Sequence, residues 1–261
     1  MLQISDHIDD IARATGFLSR LPVPARYFTD HDGSLSRASG MFPAAGLVIA
    51  LAPALVVLAL SLMDANAALT ALIALTVLIA VTGALHEDGL ADSADAFGAR
   101  RGRDHMLEIM RDSRTGTYGV LALVISFALR ATALTIILSV IGGWNTALAL
   151  LAVAALSRAA ITWHWTELPP ARREGVAASV GAPGDGASTR ALVSGAILFL
   201  GLAAVSIGIL PAVLGLGAAA LAVSQWTSLV RRKLNGHTGD TLGASQQVAE
   251  TASLVTLALL L

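Results

Sequence analysis

The stretch PAAGLVIALAPALVVLALSLM, residues 43–63, carries no charge and is long enough to cross a lipid bilayer. A crossing helix needs about 20 mostly apolar residues, because the hydrocarbon core is about 30 Å thick and offers no partner to a free peptide group. Similar stretches recur at 67–85, 119–141, 146–165, 191–210 and 211–230. A seventh, 245–261, is interrupted by Gln246, Gln247 and Glu250 in its first half. The repetition predicts an all-α fold, a polytopic integral membrane helical bundle of six to seven transmembrane helices. Pro53 is placed to kink the first span, and Pro211 to turn the chain between the fifth and sixth. No soluble domain is left over, so residues 1–261 read as a single membrane domain.

Charge is scarce and unevenly placed. Charged residues make up 13% of the chain, about half the usual share in a soluble domain. Cysteine is absent, which removes disulfides and thiolate metal sites. The basic residues are scattered among the apolar stretches, a pattern that argues against a nucleic-acid partner. Asp6, Asp9 and Asp10 precede any long apolar run, which argues against a signal peptide. Fifteen of the seventeen lysines and arginines fall in 1–42, 86–118, 166–190 and 231–244. These four segments share one side of the bundle, and the positive-inside rule makes that side cytoplasmic. Arg130 and Arg158 are the exceptions, roughly 16 Å and 10 Å inside their spans at 1.5 Å per residue. They are expected either to line a cavity or to pair with a carboxylate. Trp144, Trp163 and Trp165 fall where aromatic belts are expected. Ile4, Ile8 and Ile11 give the segment 3–19 the spacing of an interfacial helix.

The densest charge lies between two spans, in LHEDGLADSADAFGARRGRDHMLEIMRDSRTGTYG (85–119), with seven carboxylates and five arginines. Asp88, Asp92 and Asp95 stand at i, i+4 and i+7, on one face of a helix. No cation separates them, and three like charges on one face repel each other. A hard divalent cation, Mg²⁺ or Mn²⁺, would relieve that repulsion. The plainer alternative is a solvated helix start, where acids are favoured by the dipole. A zincin motif at His86-Glu87 fails, because Leu90 stands where the second histidine belongs. Arg100, Arg101 and Arg103 follow the acids, and Asp112 sits between Arg111 and Arg114. Metal-bound carboxylates beside arginine forks suit a pyrophosphate substrate; otherwise the arginines only enforce topology.

HEDGLADSADAF, RDSRTGTYG and NGHTGDTLGA (235–244), preceded by GFLSRLPVP (16–24) and FPAAG (42–46), closely resemble the cobalamin synthase family of adenosylcobinamide-GDP ribazoletransferases. The resemblance covers nearly the whole chain. It implies an Mg²⁺-dependent transferase of the bacterial cytoplasmic (inner) membrane with its catalytic face in the cytoplasm. The partners it implies are adenosylcobinamide-GDP and α-ribazole or its 5′-phosphate, with GMP released and adenosylcobalamin or its phosphate formed. Its catalytic loops would be 86–118 and 231–244. On that reading Glu87, Asp88, Asp92 and Asp95 hold the metal, and one of these, Asp112 or His86 moves a proton. Arg100, Arg111, Arg114, His237 and Asp240 then contact substrate. A homo-oligomer is compatible with the sequence. A CDP-alcohol phosphotransferase pattern fits less well, because Leu85, Asp92, Ser93 and Ala244 occupy positions where it needs other residues. A secondary transporter is the reading from another class, with Arg130 and Arg158 lining the path.

Overall fold

The computed structural model describes residues 4–29, 32–99, 102–112, 114–172 and 180–261. Its helices are α1 (Ile4–Leu18), α2 (Phe42–Leu62), α3 (Ala67–Thr82), α4 (Leu85–Gly98), α5 (Arg103–Ile109), α6 (Thr117–Glu167), α7 (Ala187–Ser206), α8 (Ile209–Leu234) and α9 (Gly239–Leu259). Among the described residues there is no strand, only one isolated bridge between Pro170 and His237. The protein is an all-α membrane bundle. By length and composition, α6, α7, α8 and α2 with its lead-in from Ala38 can each cross a membrane, and α3 with α4 makes a fifth if that bent pair is one span.

Helix α6 contains two of the expected spans. Its 51 residues would reach about 76 Å if straight, far beyond the hydrocarbon core. Gly142 interrupts it with φ 74° and ψ 172°, a conformation that only glycine adopts without strain. Arg130 and Arg158 flank that glycine, yet both reach Glu250, at 2.9 and 3.2 Å. In one continuous helix they would be about 42 Å apart, so the chain doubles back at Gly142.

The span expected at 67–85 ends early. Gly83 and Ala84 both take left-handed φ values, 63° and 58°, and α4 leaves α3 at 88°. With 14 residues and four carboxylates, α4 is too short and too charged to cross by itself. Pro53 sits inside α2 without ending it. The polar residues that weaken 245–261 as a span are buried in α9: Gln246, Gln247 and Glu250 all face protein.

One expectation is corrected. Trp165 belongs to the core, not to an interfacial belt: it is buried and packs 6.4 Å from Phe42, whereas Trp144 is exposed. Helix α1 buries Asp10, Ala14 and Leu18, while Ile8 is 51% exposed. Arg37 pairs with Asp10 at 2.7 Å, which fixes that face against the bundle and brings the end of α1 to the functional cavity.

Candidate active site

Helix geometry separates the acids of α4. Each residue turns the helix by about 100°, so Asp88, Asp92 and Asp95 share a face and Glu87 points well away from it. Glu87 accepts hydrogen bonds from both terminal nitrogens of Arg130 at 3.2 Å and from Gln247 at 3.1 Å. All these bonds fall on Oε1 and tie Glu87 to the bundle, while its Oε2 is buried without a hydrogen-bond partner among the described residues. Asp95 accepts the backbone N–H of Gly116 at 2.6 Å and of Gly119 at 2.9 Å, capping the start of α6. The side chains of Asp88 and Asp92 have no ion-pair or hydrogen-bond partner among the described residues.

A further carboxylate arrives from far along the chain. Thr238 caps α9 through a reciprocal box with Thr241 and also donates to Asp240 at 3.2 Å. Helix α4 meets this end of α9 backbone to backbone: a Cβ on Gly89 would lie 2.6 Å from the Asp240 carbonyl oxygen. Burial, followed by the charges of Asp88, Asp240 and Asp95, pushes the Asp92 carboxyl up to about 7. Burial also raises Asp240, against the pull of Arg172 and the Thr238 hydroxyl.

Of these acids, Asp88 and Asp240 border a cavity of about 690 Å³. Asp88, Asp240, His86, His237, Arg20 and Arg172 supply its polar wall, and Phe17, Leu18, Met110, Ile161 and Leu242 its apolar wall. His237 is buried edge-on to Trp165 at 6.3 Å, and burial lowers it to about 4. His86 is also buried; desolvation and then the charges of Arg158 and Arg130 lower its affinity for a proton. Both imidazoles are therefore neutral near pH 7. Among the described residues no three carboxylate or imidazole groups are gathered closely enough to hold a metal ion.

The remaining predicted residues lie elsewhere. Asp112 is tied to Arg114 by contacts of 2.5 to 3.0 Å at the surface, which hold it below the ordinary carboxylate range and make it a poor proton acceptor. Neither it nor Arg114 lines the cavity. Arg111 is exposed and close enough for its charge to be felt by Arg172. Arg100 and Arg101 lie outside the described residues. Sequence reasoning missed Arg20, Arg172 and the end of α1. The available signal for Arg20 and the end of α1 was GFLSRLPVP, which marks a segment without indicating where it docks.

Arg130 and Arg158 are paired and do not border the cavity. Glu250 bonds both, Glu87 bonds Arg130, and Gln246 and Gln247 donate to the two glutamates, while Glu87 Oε2 and the Nε of each arginine are buried without a hydrogen-bond partner among the described residues. Two cations and two anions thus close a neutral network inside the bundle.

A helical membrane protein whose cavity is walled by carboxylates from two helices and by two guanidinium groups has the form of a membrane-embedded enzyme for an anionic substrate. The cobalamin-5-phosphate synthase family matches residues 10–258, and the chain belongs to that family. It is 52% identical over 260 residues to the adenosylcobinamide-GDP ribazoletransferase of Sinorhizobium medicae (strain WSM419), covering 99% of both chains. Identity to the Rhizobium meliloti (strain 1021) protein of the same name is 50%, again over 99% of both. With the Azorhizobium caulinodans protein it is 41% over 248 residues, 94% of each. No solved structure matches the chain.

Proposed function

We infer that the chain is an adenosylcobinamide-GDP ribazoletransferase, joining α-ribazole or its 5′-phosphate to adenosylcobinamide-GDP with release of GMP. Family membership establishes the class of reaction. The observation that supports the site is the meeting of Asp88, on α4, with Asp240, on α9, across one cavity beside two arginines. In the reaction a ribose hydroxyl oxygen bonds to the phosphorus on the cobinamide side, the bond to GMP breaks, and the hydroxyl proton goes to a carboxylate. Asp240 suits that last role, because burial raises its proton affinity and it faces the cavity. The carboxylates and arginines around it position the reacting groups, which is most of what phosphoryl-transfer sites do.

Magnesium dependence belongs to the same proposal. Asp88 and Asp92 are hard oxygen donors on one face of α4, without a side-chain partner among the described residues. These two would hold Mg²⁺, which when bound supplies charge neutralisation at the phosphate oxygens. Because Arg130 and Arg158 are consumed by Glu250 and Glu87, the observation that favoured a transporter is gone.

The test is incubation of purified protein with adenosylcobinamide-GDP, α-ribazole and Mg²⁺, followed by chromatography for GMP and a corrinoid product. Absence of GMP with every divalent cation overturns the reading. The cytoplasmic placement of the cavity in the inner membrane is tested with introduced cysteines and an impermeant thiol reagent on intact cells. Labelling at Asp104→Cys but not at Asn66→Cys would reverse the orientation.

A further inference from the structure

Several of the described arginines are held by protein partners, although Arg130 and Arg158 each leave a buried Nε unbonded. Arg103 donates to the carbonyls of Leu234 and Ala171 at 2.7 and 2.6 Å. Arg13 and Arg37 pair with Asp10, Arg231 with Glu167, and Arg130 and Arg158 with buried glutamates. Arg20, which is exposed, and Arg172, which is half-buried, differ in position: both line the cavity.

Arg20 follows α1 and is held at its backbone, where its N–H donates to the Val81 carbonyl at 2.7 Å. Its side chain is laid across the α3–α4 corner, close enough that a Cβ on Gly83 would lie 2.7 Å from Nε. No carboxylate pairs with it among the described residues. Arg172 is set by the bridge at Pro170, where Ala171 donates to the His237 carbonyl and His237 to the Pro169 carbonyl, both at 2.8 Å. Its side chain is 16% exposed, and its nearest anion is Asp240, 3.9 Å from Nη2. Its Nε and Nη2 have no hydrogen-bond partner. Guanidinium donors left unfilled at a half-buried site are costly unless a ligand supplies acceptors.

We propose that Arg20 and Arg172 are the phosphate-holding pair of the cavity and grip the diphosphate of the GDP-bearing substrate. The guanidinium fork matches phosphate oxygens in a way that a lysine does not. A phosphate held by Arg172 lies beside Asp240, the carboxylate that serves the reacting phosphorus, which favours the diphosphate over the 5′-phosphate of α-ribazole phosphate. The assignment rests on the transferase reading for the identity of the diphosphate, and on the cavity alone for its affinity for one.

Inorganic pyrophosphate is the probe, with binding to detergent-purified protein measured by calorimetry. Arg20→Lys and Arg172→Lys should each weaken it by about tenfold, the loss of one charge-assisted hydrogen bond. The KM for adenosylcobinamide-GDP should rise in parallel, while that for α-ribazole or its 5′-phosphate stays within about twofold of the parent. Arg231→Lys, at an exposed pair, should change neither by more than about twofold. Phenylglyoxal labelling of the parent, mapped by mass spectrometry, needs no variant: pyrophosphate should protect Arg20 and Arg172. Folded variants that bind like the parent, or labelling unaffected by pyrophosphate, overturn the pair. A KM shift confined to α-ribazole 5′-phosphate overturns its assignment to the diphosphate. If the parent releases no GMP but the lysine variants still lose pyrophosphate, the transferase reading fails and the anion site stands.

Discussion

Glu87 and Asp88 are neighbours on α4, yet they belong to two arrangements of charge with opposite character. Glu87 enters the bundle, where two arginines and two glutamates neutralise one another and Gln246, Gln247 and Ser157 supply further hydrogen bonds. Asp88 turns to the cavity and meets no cation of its own among the described residues. The first set balances charge for charge, though Glu87 Oε2 and the Nε of both arginines stay unbonded, and it holds helices α4, α6 and α9 in place. The second is unmatched and available to ligands. A membrane protein has to settle its buried charge internally, because lipid offers no compensation. It can leave charge open only where water or substrate enters.

The comparison is broken most strongly at Glu250. Glu250→Leu strands two buried arginines, and thermal unfolding in detergent should show a loss of about 3–5 kcal/mol, the cost of an uncompensated buried charge. Adding Arg158→Met to the same chain should recover a large part of it. No recovery would mean that the network is not the source of the stability.

On the cavity side the expectation reverses. Asp88→Asn and Asp240→Asn should lower turnover by about 100-fold, the usual share of a positioned acid–base or charge-stabilising group. Their melting temperatures should stay at or above that of the parent, since like charges are relieved. Variants that unfold while keeping turnover per folded molecule would place these acids in the structural set instead.

Gly89→Ala tests the contact that joins the two regions. Its Cβ would push against the Asp240 carbonyl, at a cost of about 1–3 kcal/mol for overpacking. Activity should fall together with stability, in contrast to the two aspartate variants. A fully active Gly89→Ala protein would show that α4 and α9 need not touch.

Asp92 gives a smaller, pH-dependent effect. Its folded value of about 7 lies above the ordinary 3.8, so folding holds the proton more tightly than the unfolded chain does. Below about pH 4 both states are protonated and nothing is lost. As pH rises towards 7 stability declines, and above 7 the full penalty is present. Asp92→Asn should therefore stabilise at pH 8 by about 1 kcal/mol, allowing for solvent screening, and do nothing at pH 4. Mg²⁺ at pH 8 should raise the melting temperature of the parent more than that of the variant, and equal responses would remove Asp92 from the metal proposal. The smallest effect is expected for Arg114→Lys: tied to Asp112 at the surface, it should shift the KM for adenosylcobinamide-GDP by less than about twofold.

Much of the fold is legible because it depends on neighbours in sequence. Apolar length marks the spans, and the spacing of Asp88, Asp92 and Asp95 marks one face of α4. The reversal at Gly142 is announced by Gly-Gly between two apolar runs. That Glu87 turns into the bundle was not legible, because belonging to an acidic run says nothing about direction, and a single residue of helical rotation separates it from Asp88. The polar start of 245–261 looked like a flaw in a span. It is the complement of Arg130 and Arg158, a relation between residues more than ninety positions apart.

The sequence by itself determined that this is a helical membrane protein of the cobalamin synthase type, with an acidic face gathered on one short helix. Hydropathy and periodicity are local quantities, and the family motifs are contiguous, so each can be read along the chain. Only the tertiary structure decided which charges are matched and which stay open. Pairing depends on where distant helices cross, and no local pattern carries that. The placement of Asp240 against Gly89 and of Arg20 across the α3–α4 corner follows from backbone contacts between segments far apart in sequence. So does the choice of Arg172, over the arginines of the charged block, to face the cavity.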